Sequence, residues 1–209
     1  MMIIQQAYFA GRRFQNLIVT GLGVIHSLKS KLMKFISLLL ALCIGITSKA
    51  QVENTSYINK SNERVLQLSI IVPIDVKETW KYFSTDSGLV KWIAPVAHIE
   101  LKNGGYIITN YDEKKTLSDS TSIRLGIISY LENELITFKV DLNNNFSKKL
   151  QEEDENLQEI IQFVSIAPGK TKIISSMVGW GPGEDWNKTY NFFVKGNEWT
   201  YKELLKVIK

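Results

Sequence analysis

The stretch Lys172-Ile-Ile-Ser-Ser-Met-Val-Gly-Trp-Gly-Pro-Gly-Glu-Asp-Trp-Asn-Lys-Thr-Tyr-Asn-Phe-Phe-Val-Lys-Gly-Asn-Glu-Trp199 decides the fold. Lys172 to Trp180 is rich in β-forming residues. Gly181-Pro182-Gly183 cannot continue a strand, because proline lacks the ladder N–H and glycine favours turns. Beyond the break, Trp186, Tyr190, Phe193, Tyr201, Leu204, Leu205 and Ile208 recur at helical steps of three and four. A helix of about 24 residues is roughly 36 Å long, enough to cross a whole domain. The pattern predicts a sheet gripping one long helix.

Working back towards the start, Leu66, Leu68, Ile70 and Val72 alternate on one face of a strand that Pro73 stops. Asp75, with Glu78 three residues on, forms a helix-capping pair, and Val76, Trp80 and Phe83 share one helical face. A second short helix, about Ser87 to Ile93, ends before Pro95. Three hairpins follow, turning at Asn103-Gly104-Gly105, Leu131-Glu132-Asn133-Glu134 and Ala167-Pro168-Gly169. Asn143 to Glu155 is polar and charged, a solvated loop or a helix of one to two turns. The fold class is α+β: a curved antiparallel sheet of six to seven strands around a long C-terminal helix, with two short helices after the first strand.

The N-terminal region has a different composition. The first 50 residues hold six of the 25 basic residues and none of the 21 acidic ones. Lys34, the apolar run Phe35 to Ile46 and Ser48-Lys49-Ala50 match a secretory signal at residues 33–50, with cleavage between Ala50 and Gln51 and export as the consequence. The run is too short to span a bilayer, which takes roughly 20 residues. Residues 1–32 read either as an upstream extension from a misplaced start or as a true segment anchored by Leu17 to Ile25. Cys43 follows Leu42 rather than a small residue, so it reads as an ordinary cysteine of the apolar run.

Past Ala50 the balance is 19 basic against 21 acidic residues. Nucleic-acid binding needs a basic footprint, and this domain has none. His98 is its single histidine, and it has no cysteine. Thiol catalysis, disulfides and Cys/His zinc sites are therefore excluded, and no cofactor or metal is expected. Residues 51–63 read as a flexible lead-in and 64–209 as one domain, with no stable membrane insertion; the sequence does not set an oligomeric state.

Val72-Pro73-Ile74-Asp75-Val76-Lys77-Glu78-Thr79-Trp80, Asp86-Ser87-Gly88-Leu89-Val90-Lys91-Trp92, Gly104-Gly105-Tyr106 and Gly179-Trp180-Gly181 through Trp199 carry a resemblance to the START-like (SRPBCC, helix-grip) superfamily. They resemble in particular the branch containing the C-terminal domain of the activator of the heat-shock-protein-90 ATPase. The likeness runs from about Arg64 to Ile208, although Ile93 stands where that branch usually has a second aromatic residue. The resemblance implies a hydrophobic cavity between sheet and helix. It does not imply one function, since this fold hosts carriers, cyclases, hydrolases and chaperone cofactors. An exported protein does not meet a cytoplasmic chaperone.

The expected partner is therefore a small apolar molecule. Trp92, Tyr106, Trp180, Trp186, Tyr190, Asn197 and Tyr201 are the candidate ligand-binding residues, because a polar tip on an apolar body supplies one hydrogen bond in a greasy wall. Asn197 interrupts the apolar stripe of the helix and must bond either the sheet backbone or a ligand or cavity water. Catalytic candidates are weaker. His98 has Glu100 two residues on as an orienting carboxylate, but the pair also suits an exposed edge strand. Glu184 falls at the helix start, where a carboxylate complements the positive helix end. Three readings follow: a non-catalytic binder of a small hydrophobic molecule, a protein-interaction module with a filled core, and a hydrolase or cyclase on the same fold.

Overall fold

A computed structural model describes residues 51–208; the signal-sequence reading, Cys43 and His26 lie outside them. Strand β3 (Arg64–Val72) is followed by helices α1 (Val76–Ser84) and α2 (Asp86–Leu89). Then come β4 (Val96–Glu100), β5 (Tyr106–Asn110), β6 (Ile123–Leu131) and β7 (Leu135–Lys139). Helix α3 (Lys148–Glu153), strands β8 (Gln158–Ala167) and β9 (Lys170–Val178), and helix α4 (Glu184–Val207) complete the domain. The fold is α+β, with a curved antiparallel sheet and a long C-terminal helix of 24 residues.

The strand count corrects the sequence expectation. The sheet has nine strands, because β1 (Glu53–Asn54) and β2 (Tyr57–Ile58) both pair with β3. Two-residue ladders leave no alternation to read, which is why the polar lead-in concealed them. The spatial order β1-β3-β9-β8-β7-β6-β5-β4 sets the early strand β3 beside the last strand. Register shifts in β6 at Ile127/Ser129 and in the β8–β9 pair at Ser165/Ala167 are bulges, which bend and twist a sheet.

Local chemistry fixes the helices where the sequence places them. Asp75 accepts a hydrogen bond from the Glu78 N–H at 2.9 Å and caps α1. Thr85 caps α2 through the Gly88 N–H at 3.0 Å, so α2 starts earlier and is shorter than predicted. Asp86 accepts from the Ile99 N–H at 2.8 Å, and its other oxygen lies 2.8 Å from His98 Nδ1. One carboxylate thus fastens the helical pair to the edge strand β4.

Of the two readings of 143–155, the helix is correct. Ser147 caps α3 through the Leu150 N–H, and Leu150 is buried. Asp154 ties the return to β8, accepting from Lys139 Nζ at 2.9 Å and from the Leu157 N–H at 3.0 Å. The core is formed by inward residues of the sheet, among them Leu66, Leu68, Ile136, Ile173 and Met177. Trp80, Phe83, Trp186, Tyr201 and Leu204 cover it from the helices.

Candidate functional site

The middle of α4 does not fill the concave face of the sheet. A cavity of about 330 Å³ remains there, at the small end of the range that holds compact ligands. Phe83, Leu89, Trp92 and Ile93 wall it from the helical segment after β3, and Ile107, Leu125, Phe138 and Ile161 from the sheet. Phe192, Phe193, Gly196, Asn197, Thr200 and Tyr201 close it from α4. Trp80 does not plug it, because its ring packs edge-on against Phe163 at 5.3 Å.

An aromatic rim borders this space. Phe146, brought in by the segment before α3, stacks parallel on Phe193 at 5.8 Å and meets Phe192 edge-on at 5.5 Å. Phe192 remains 61% exposed. The charged segment 143–155 therefore contributes a wall of the cavity as well as a surface.

The one carboxylate that the sheet brings to the cavity is Glu159. Leu157, just before β8, and Glu159, Ile161 and Phe163 within it follow one inward alternation, so half-buried Glu159 falls in phase with core residues. Ser175, fully buried on β9, donates to Glu159 Oε1 at 2.6 Å. The Tyr201 hydroxyl approaches both from α4. Burial pushes the Glu159 carboxyl up from the ordinary glutamate range, and the Ser175 and Tyr201 hydroxyls only partly offset that. Burial raises the Tyr201 hydroxyl as well, and the neighbouring Glu159 carboxyl raises it further.

Of the sequence candidates, Trp92, Asn197 and Tyr201 line the cavity. Asn197 does not bond the sheet backbone: its amide reaches the sulfur of Met177 at 3.3 Å. Tyr106, Trp180, Trp186 and Tyr190 are not in the lining. Tyr106 carries the Arg124 guanidinium over its ring at 3.8 Å, and Tyr190 carries that of Arg64 at 4.3 Å. Trp180 meets Tyr190 edge-on and donates to the Met177 carbonyl at 3.1 Å. Trp186 is buried and donates to Glu153 Oε2 at 3.0 Å. A helical stripe wider than the cavity supplies both ligand-facing and sealing aromatics, and spacing alone does not separate them.

The two catalytic candidates lie elsewhere. His98 pairs with Asp86 rather than with Glu100, which bonds Lys102. Glu184 is largely exposed and pairs with Lys188. The residue that sequence reasoning missed is Glu159; its signal was a carboxylate in phase with Leu157, Ile161 and Phe163. Among the described residues no three His, Cys, Asp or Glu side chains are grouped to hold a metal ion, and no helix is long and apolar enough to cross a membrane.

Solved structures share this architecture. A conserved protein of unknown function from Enterococcus faecalis superposes with a TM-score of 0.53 at 13% identity, covering 75% of this chain and 77% of that one. The Aha1 dimer from Colwellia psychrerythraea gives 0.51 at 14% identity, covering 69% and 98%. The fold is START-like. CalU16 from Micromonospora echinospora has it too, with a TM-score of 0.53 at 9% identity, covering 77% of this chain and 86% of that one. Identities this low establish the START-like fold alone. No protein-family model and no curated protein sequence matches the chain.

Proposed function

We propose that this START-like domain binds a small hydrophobic molecule in the cavity between sheet and α4, without catalysing its conversion. The observation that carries the reading is the cavity of about 330 Å³, walled mainly by aliphatic and aromatic side chains, with a few polar groups, Glu159 and Asn197 among them. Apolar walls supply affinity through burial, and a few placed polar groups set orientation. His98 and Glu184, the catalytic candidates from sequence, lie outside this lining. With the export signal expected at residues 33–50, binding would take place outside the cytoplasm.

The test is a melting series of the full chain with a panel of apolar molecules, combined with tryptophan fluorescence, since Trp92 forms part of the wall. A bound ligand at a hundredfold excess over its Kd should stabilise the fold by about 2.7 kcal/mol. A panel that moves neither the melting temperature nor the fluorescence would refute the reading and favour an interaction module.

A further inference from the structure

The charge of the cavity specifies more than its size does. Two acidic residues line it: Asp141, exposed, and Glu159, on the sheet. No lysine, arginine or histidine is found among the described residues of the lining. A ligand carrying a carboxylate, such as a fatty acid, would place a second negative charge beside Glu159 with no cation to meet it. Burying such a charge unpaired is costly.

Hydrogen bonding points the same way. Ser175 donates to Glu159 and the Tyr201 hydroxyl lies beside it, so the protein offers the carboxyl hydroxyl groups but no cationic partner. A carboxylate has about four acceptor positions, and two hydroxyl groups leave some of them for a ligand. The surrounding rings of Trp92, Phe138 and Phe193 present π faces and edges to the same space, and a cation is attracted to an aromatic face.

We infer that the cavity is selective for an apolar molecule with a cationic amine head, which pairs with Glu159 while its hydrocarbon body lies against the aromatic and aliphatic walls. The inference rests on the reading of the cavity as a ligand site. Selectivity arises because the buried carboxyl gains a counter-ion from the amine and a like charge from an acid. Asn197, whose own partner is only a thioether, has its amide oxygen left to accept from the same head.

Three probes of one chain length, decylamine, decanol and decanoate, titrated calorimetrically into the full chain at neutral pH below their micellar concentrations, test this. Decylamine should bind about tenfold more tightly than decanoate, a difference of ~1.4 kcal/mol, with decanol between them. The substitution Glu159→Gln should close most of that gap, and Asp141→Asn, at an exposed position, should change it less. Decanoate binding as well as decylamine would overturn the inference while leaving the cavity a ligand site, as would decanol binding best. A gap that survives Glu159→Gln but collapses with Asp141→Asn would also overturn it. If Glu159→Gln does not fold, the order of the three probes on the unaltered protein still decides. Binding of none of the three would remove the ligand reading and the inference together.

Discussion

The first turns of α4 and its middle face the same sheet but are built to different ends. At the start, Trp186 is 1% exposed, and its indole N–H is bonded to Glu153 of α3. The backbone is drawn up against it: a Cβ on Gly181 would come within 2.3 Å of the ring. About three to four turns on, Gly196, Asn197 and Tyr201 border the cavity. The sealed end holds the helix at a fixed distance from the sheet, and the hollow middle follows from that distance. Leu204 and Ile208 are buried at the far end, so packing at both ends brackets the hollow middle.

Breaking the sealed end should have the largest effect. Trp186→Ala is expected to destabilise the domain by about 3–5 kcal/mol, as for other buried aromatic truncations, measured by denaturant unfolding. Gly181→Ala should cost about 1–3 kcal/mol, because the added methyl overlaps a ring that has no room to retreat. Neither residue lines the cavity, so wherever the variants remain folded their preference among ligands should match the unaltered protein. A change in that preference would mean that the two regions are not separable.

The sealed and hollow regions were unequally legible in the sequence. Alternation in β3 and helical spacing after Gly183 defined the sheet and the long helix, because both patterns persist over several repeats. Glu159 is hard to read because it lies near the start of a strand whose sequence also carries polar residues on its outward face, so nothing but phase marks it as inward. Trp186 and Tyr201 lie on one apolar stripe, and only the path of the sheet beneath them decides that one is packed and the other borders a space. The aromatic rim depended on Phe146, which folds back from a segment whose charge marked it as solvent-facing.

Within the hollow region, Tyr201→Phe should cost about 1–2 kcal/mol, since it removes a hydroxyl that lies beside the Glu159 carboxyl. Its effect on pH dependence is the sharper readout. Burial holds the folded pKa of Glu159 above its unfolded value. The stability of the neutral form is therefore complete below the ordinary glutamate range and is lost as pH rises through the raised folded value. The Ser175 and Tyr201 hydroxyls oppose the shift by favouring the carboxylate; Tyr111 and Asp141 are the other titratable groups in the lining. Tyr201→Phe should extend the loss to higher pH, whereas Glu159→Gln should remove it. Melting temperatures measured from weakly acidic to neutral pH distinguish these opposite outcomes, and identical profiles for both variants would mean that the cluster does not set the titration.

Asn197→Leu gives the smallest expected effect on the empty protein and the most specific comparison with Trp186→Ala. A buried amide bonded to a backbone carbonyl would strand that carbonyl on substitution, at about 1–3 kcal/mol. Here the amide donates to the sulfur of Met177 at 3.3 Å. Sulfur is a weak acceptor, so losing the amide strands little, and leucine is close to asparagine in size. The empty protein should change by less than about 1 kcal/mol. Ligands with a polar head should bind more weakly, and wholly apolar ones as well as before or better, because a leucine wall no longer offers the head an acceptor. A large loss of stability in the empty variant would assign Asn197 to the scaffold with Trp186; a loss confined to polar-headed ligands assigns it to the site with Tyr201.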